Sequence, residues 1–225
     1  MIYNGGMKIK DFKSLKEIHE YFALHNDCAL KKVATQPVYE MTNPTSGIIF
    51  IGEAPGRNED KQGKPFVGAA GKLLDELLKG VDLTRDDVYV TNVVKYRPPS
   101  NRDPSVEEKD ACRVWVNAEL IFLKPKVIVT LGRHALERFL PNLKISIVHG
   151  QPYSHSTGIP IFPMYHPAAA LYNPNLKGTL AKDFKKLQKF LAGEIKATEY
   201  EMEEPILKGS GSNQKQKEID EILGM

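Results

Sequence analysis

The 225-residue chain predicts an α/β protein, a three-layer αβα sandwich around a central four-stranded parallel sheet. Three observations carry this. Short unbroken apolar runs recur along the chain, as in strands buried on both faces. Helical patterns lie between the first three of them and after the last. Strand and helix alternate at about 35–40 residues per unit, the rhythm of parallel strands joined by right-handed crossovers.

In chain order, Ser14 and Glu17 read as a capping box ahead of an apolar face of Leu15, Ile18 and Phe22, which predicts a first helix. Ile48-Ile49-Phe50-Ile51-Gly52 is the first strand. Leu73, Leu74, Leu77 and Leu78 recur at helical spacing after Gly71. Val88-Tyr89-Val90-Thr91-Asn92 is the second strand. Ser105 and Glu108 form another capping box before Ala111, Val114, Trp115, Ala118 and Ile121. Lys126 to Leu131 is the third strand, and Ile159 to Met164 a weaker fourth. Leu180, Phe184, Leu187 and Leu191 face one side of a final helix. The reading is one domain over 1–194 and a flexible C-terminal tail over 195–225, where Gly209-Ser210-Gly211-Ser212-Asn213 is linker-like.

Composition narrows the function. Hydrophobic residues at 41% and charged residues at 26% are ordinary for a globular chain and exclude a mostly disordered one. No apolar run reaches the ~20 residues of a membrane span, and Met1 to Lys10 has no secretory apolar region. Two cysteines exclude a disulfide scaffold. A cytoplasmic monomer is expected. The net charge of +3 does not by itself demand a nucleic-acid partner.

Open parallel sheets bind ligands beyond the carboxyl ends of their strands. Those ends carry Gly52-Glu53-Ala54-Pro55-Gly56, then Asn92-Val93-Val94-Lys95-Tyr96-Arg97-Pro98-Pro99, then Gly132-Arg133-His134, then Tyr165-His166-Pro167. Gly52 to Gly56 is Gly-x-x-x-Gly, which fails the dinucleotide pattern. Gly71-Lys72 is followed by Leu73, and Phe66 stands where a phosphate-binding P-loop needs its first glycine. The run Gly63 to Gly71 is either a tight lead into a helix or a place where a DNA phosphate meets free N–H groups.

Four blocks in order, Gly52-Glu53-Ala54-Pro55-Gly56-x-x-Glu59-Asp60, Gly63-Lys64-Pro65-Phe66-Val67-Gly68, Thr91-Asn92-Val93-Val94-Lys95-x-Arg97-Pro98-Pro99 and His166-Pro167-Ala168-Ala169, resemble family 4 uracil-DNA glycosylases. The resemblance spans about residues 48–190 and implies an enzyme that flips uracil out of DNA and hydrolyses its N-glycosidic bond. It implies that Glu53, Asn92 and His166 are catalytic. His166 would meet uracil O2, where negative charge develops. Ala54, Glu59, Phe66 and Asn92 would bind the base: Phe66 by stacking, Asn92 by reading its edge, and Glu59 by crowding C5 against thymine's methyl. Gly68, Gly71, Lys72, Arg97 and Pro98 would meet DNA, with Ala170 and Leu171 as candidates to wedge into the duplex. The superfamily's best-known branch has an aspartate at the position of Ala54, so catalysis leans on electrostatics more than on general base chemistry. A fold-sharing DNA-binding protein without turnover is the rival reading.

The resemblance also implies a [4Fe-4S] cluster held by four cysteines, and here the sequence departs from the family. The matching positions are His25, Cys28, Tyr96 and Cys112. Two thiolates are too few for such a cluster, so the expectation is no cofactor and no metal, with Tyr96 filling the vacated volume. The expected partner is uracil-containing DNA, at the nucleoid if the cell is a prokaryote. In the tail, Gln216-x-x-Ile219-x-x-Ile222-Leu223 is a weak form of a sliding-clamp motif.

Overall fold

The computed structural model describes residues 9–200. Four parallel strands, β1 (Ile48–Gly52), β2 (Tyr89–Asn92), β3 (Val127–Leu131) and β4 (Ile161–Met164), form one sheet in the order β2-β1-β3-β4. The register pairs Gly52 with Asn92, Ile51 with Thr130, and Leu131 with Met164. The carboxyl ends of all four strands therefore lie along one rim. Pro163 sits inside β4, which an edge strand tolerates because its outer side carries only an isolated bridge, Tyr153 to Ile161, and no full ladder.

Helices cover both faces: α1 (Leu15–His25), α2 (Arg57–Gln62), α3 (Ala69–Lys79), α4 (Val106–Leu123), α5 (Arg133–Phe139), α6 (Ile145–Val148), α7 (Pro167–Tyr172) and α8 (Asn175–Leu191). Side-chain alternation divides the core. Ile49, Ile51, Tyr89 and Ile128 face α1, α4 and α5, with Trp115 at the centre. Ile48, Phe50, Val90, Val129 and Phe162 face α3 and α8. The three layers are those expected from the sequence.

Local chemistry sets the helix starts. The Ser14 hydroxyl accepts from the Glu17 N–H at 3.2 Å, and the Glu17 carboxylate takes the Lys13 N–H. At α4 the capping box is complete: Ser105 Oγ accepts from the Glu108 N–H, and Glu108 Oε2 accepts from the Ser105 N–H at 2.7 Å. Four short helices, α2, α5, α6 and α7, stand where only loops were expected.

The chain does not leave the domain at residue 195. Thr198 exchanges backbone hydrogen bonds with Pro152 and Ser154, and Tyr200 packs against the core. The first residues of the expected tail are docked; residues 201–225, with the Gly-Ser stretch and Gln216 to Leu223, lie outside the described residues.

Candidate active site

The strand order changes direction between β1 and β3: from β1 the chain crosses to β2 on one side, then returns to β3 on the other. Such a switch point opens a crevice at the carboxyl rim. A cavity of about 410 Å³ lies there, large enough for a nucleobase. Glu53, Ala54, Glu59, Phe66, Gly68, Asn92, Pro98 and His166 all line it. Residues spread over more than a hundred positions meet because each follows the end of a neighbouring strand.

Asn92 ends β2 and is 2% exposed. Its Oδ1 is buried without a hydrogen-bond partner, a cost of order 1–3 kcal/mol in a site meant to stay empty. Gly52 makes room for it. A Cβ there would come within 2.6 Å of both Asn92 Oδ1 and Phe66 Cζ.

Phe66 is buried and adopts φ +54°, a left-handed conformation that costs a side-chain-bearing residue roughly 1 kcal/mol or more. Two contacts hold it. Gly71 lets α3 press against its carbonyl, since a Cβ there would sit 1.7 Å from Phe66 O. Glu59 Oε1 accepts the N–H groups of Val67 at 2.9 Å and Gly68 at 2.6 Å, fixing the chain just beyond the ring.

His166 caps α7. Its Nδ1 accepts from the Ala168 N–H at 3.1 Å, which leaves the proton on Nε2. Burial pushes its pKa down to about 4, so the ring is neutral at neutral pH. Its ring stacks near Phe66, with centroids 5.4 Å apart and planes 26° apart. A neutral imidazole aiming an N–H into a partly buried cavity is suited to a developing oxyanion.

Glu53 follows β1 and is half-buried. Burial raises its pKa, and His134 opposes that rise. His134 opens α5 just past β3. Its Nε2 lies 3.7 Å from Glu53 Oε2 and 3.5 Å from Asp103 Oδ1. These three side chains have ligand atoms mutually within 4.8 Å, the spacing of a potential cation site.

Three expected placements change. Gly71 packs under Phe66, so it gives no opening to a phosphate. Ala170 is 6% exposed and belongs to the α3–α8 core, so it cannot wedge into DNA. The Glu59 oxygen nearest the loop is taken up by two N–H groups, which makes it a clamp on that loop before anything else. Leu171 is 48% exposed, while its neighbour Tyr172 is 91% exposed and lines the cavity. Lys72 is exposed on α3, outside the lining. Arg97 is half-buried and donates Nε–H to Asn101 Oδ1 at 2.7 Å. Tyr172, Asn101 and His134 were missed as site residues. The position of His134 just past a strand end was the one signal for it.

The positions that resemble cluster ligands do not assemble a ligand set. Cys28 and Cys112 are buried free thiols: the Cys28 thiol donates to the Glu108 carbonyl at 3.8 Å, and Cys112 Sγ accepts the Lys95 N–H at 3.5 Å. The Tyr96 phenol is buried beside them, and its hydroxyl has no hydrogen-bond partner. Burial and the two nearby sulfurs push its pKa up. His25 is exposed, stacked on Tyr21 at 4.3 Å, with Nδ1 bonded to the Tyr21 carbonyl at 2.8 Å. Two thiols, an outward imidazole and a phenol do not fit an iron–sulfur cluster.

Comparison with known proteins places these features. The family model described as the uracil DNA glycosylase superfamily matches residues 39–192. A type-4 uracil-DNA glycosylase of Sulfurisphaera tokodaii is 46% identical over 184 residues, covering 78% of this chain and 84% of that protein. The type-4 uracil-DNA glycosylase of Archaeoglobus fulgidus is 44% identical over 184 residues, 78% of this chain and 92% of that one. That of Thermotoga maritima is 42% identical over 171 residues, with coverage of 74% and 89%.

Proposed function

The chain belongs to the type-4 uracil-DNA glycosylases of the uracil-DNA glycosylase superfamily, and on that premise we propose how its residues excise uracil from DNA. The enzyme is a DNA-repair hydrolase. It flips the uracil nucleotide into the cavity, cleaves the N-glycosidic bond, and leaves an abasic site.

The observation that carries the reading is the unpartnered Asn92 Oδ1 facing a stacking ring. Uracil offers an N3–H to that oxygen and an O4 to the amide's N–H. Cytosine reverses both groups and would leave the buried amide unpaired, a large penalty in a polar site. Phe66 takes the face of the base. As the bond to the sugar lengthens, charge gathers on uracil O2, and the neutral His166 donates Nε2–H to it. Glu53, beside the cavity floor, orients the attacking water; with Ala54 next to it, no aspartate serves there as base. Gly68, Pro98, Arg97 and Lys72 lie on or near the rim where the DNA strand would pass, and the exposed Tyr172 replaces Ala170 as the candidate wedge beside Leu171.

The test is release of free uracil from a defined uracil-containing oligonucleotide, with alkali-labile abasic sites as the second product. A protein that binds such DNA and releases no uracil would instead be a silent member of the fold.

The cluster is the finer point. Nothing in the mechanism needs one, and the side chains at its positions do not suit one, so the protein acts without iron. It works as a monomer wherever the cell keeps its DNA, in the cytoplasm or nucleoid. As for the tail, deleting 209–225 should leave excision on short oligonucleotides intact and abolish co-elution with a sliding clamp. No clamp binding by the full chain at tens of micromolar ends that idea.

A further inference from the structure

Among the described residues, His134 is an odd group for the core. It is 7% exposed, and neither ring nitrogen has a hydrogen-bond partner. A histidine buried for packing alone satisfies at least one nitrogen, as His19 does under α1 on the same face of the sheet. Three carboxylates face the ring from three elements. Glu53 Oε2, beyond β1, lies 3.7 Å from Nε2, and Asp103 Oδ1, ahead of α4, lies 3.5 Å from it. Glu137 Oε2, one turn along α5, lies 3.8 Å from Nδ1. These distances exceed a hydrogen bond and leave room for adjustment as the site fills.

Only one of the three carboxylates lines the cavity, and the other two have cations of their own. Arg133 pairs with Asp103, and Lys109 holds Glu137 at 2.9 Å. Glu53 has no such arginine or lysine partner among the described residues; the charged groups around it are His134, Asp103, Arg133 and Lys109. The same arginine and lysine put positive charge where a divalent cation would have to sit, which argues against a metal between His134, Asp103 and Glu53.

We propose that His134 is a positioning residue for Glu53: it holds that carboxylate turned toward the cavity, with Asp103 sharing the Nε2 side with Glu53 and Glu137 facing Nδ1 on the ring's far side. The geometry follows from topology, because β1 and β3 are neighbours and the residues just past their ends must meet at the switch point. This assignment rests on the glycosylase reading and deepens it. The direction of the Glu53 pKa agrees, since burial raises it and His134 lowers it.

The test is the pH profile of kcat and KM for uracil release by His134→Gln and His134→Ala. Catalysis needs Glu53 as the anion, so activity falls as pH drops through its pKa. Without His134 that pKa rises, and the acid limb of kcat should move up by about one pH unit, the scale of a nearby favourable charge. At a pH below the limb this reads as roughly a tenfold deficit, shrinking toward alkaline pH. KM should hold, since His134 lies outside the cavity lining. Glutamine is the safer variant, as it keeps a donor and no hydrogen bond of the ring is lost. In a Glu53→Gln background, adding His134→Gln should change nothing further. Acid limbs that coincide with wild type, or effects of the two substitutions that simply multiply, would overturn the assignment. Failure of the wild-type protein to release uracil would sink the glycosylase reading itself, and the two failures are distinct.

Discussion

The cavity rim and the seam beneath α1 and α4 both bury polar groups, and they treat them in opposite ways. In the seam every charge is answered. Lys95, fully buried, gives hydrogen bonds of 2.7 Å to both oxygens of Glu119, whose carboxylate also takes Tyr89 OH at 3.1 Å and Thr91 Oγ1 at 3.2 Å. Trp115 Nε1–H donates to His19 Nδ1 at 2.9 Å, and His19 Nε2–H donates in turn to the Glu40 carbonyl at 2.8 Å. At the rim Asn92 Oδ1 and both nitrogens of His134 stand unanswered, and Glu53 is half-buried with its pKa pushed up. The saturated ions tie the seam together, although the buried Tyr96 hydroxyl near it has no partner. At the rim the orphaned Asn92 oxygen is held open for a ligand, and the fold carries its cost.

That contrast can be broken from either side. The largest effect should come from the seam. Glu119→Ala strands a buried ammonium and should cost about 3–5 kcal/mol of stability, seen in urea unfolding. The paired change Lys95→Met with Glu119→Leu should recover most of that loss, because no unpaired charge remains. A single variant as stable as wild type would show that the seam is not a closed network.

At the rim the pattern inverts. Asn92→Ala and His166→Ala should each slow uracil release by about 10²-fold or more, since losing one oxyanion or recognition donor costs about 3 kcal/mol. The unfolding midpoint should hold or rise for Asn92→Ala, which removes an orphaned acceptor, and fall modestly for His166→Ala, which removes the cap of α7. Rates near wild type in both would refute the site.

Acid tests both regions at once. The pKa values of His19 and His166 are lowered to about 4 by burial, below their unfolded value of about 6.5. The unfolded chain therefore binds more protons between those values, and stability should fall as pH drops from about 6.5 toward 4. His19→Gln should flatten that slope; a slope unchanged in both this and a His166→Gln variant would mean these rings are not buried neutral.

The smallest effect concerns iron. Chelation should leave excision and absorbance unchanged, and Cys28→Ser with Cys112→Ser should cost little activity. Iron near four atoms per chain would overturn the cofactor reading.

Much of this was legible in the residues. The run Ile48 to Gly52 became β1 without change, because a strand buried on both faces has nowhere for a polar residue. The last run shortened to Ile161–Met164, since Pro160 brings no N–H to the ladder. The short helices α2, α5, α6 and α7 stayed hidden because four to seven residues complete too few turns for a period to emerge. Asn92, Phe66 and His166 were found through their motifs, and each lines the cavity. His134 was not, because its meaning depends on β3 lying beside β1, and pairing order leaves no local trace. Glu59 was assigned to the base, whereas its reach to the Val67 and Gly68 N–H groups depends on a left-handed Phe66 that no pattern announces. Nothing in the sequence marks Lys95 and Glu119 as partners, and only the packing of α4 on the sheet buries them together.

The buried Lys95–Glu119 pair also gives the protein a thermal character. Hydrating a free charge orders water, so the penalty for taking both ions out of solvent shrinks as temperature rises. An ion pair sealed behind the sheet is thus at its most expensive in the cold and grows cheaper with heat, while apolar burial levels off. The scaffold behind the cavity would loosen least under the conditions that deaminate cytosine fastest.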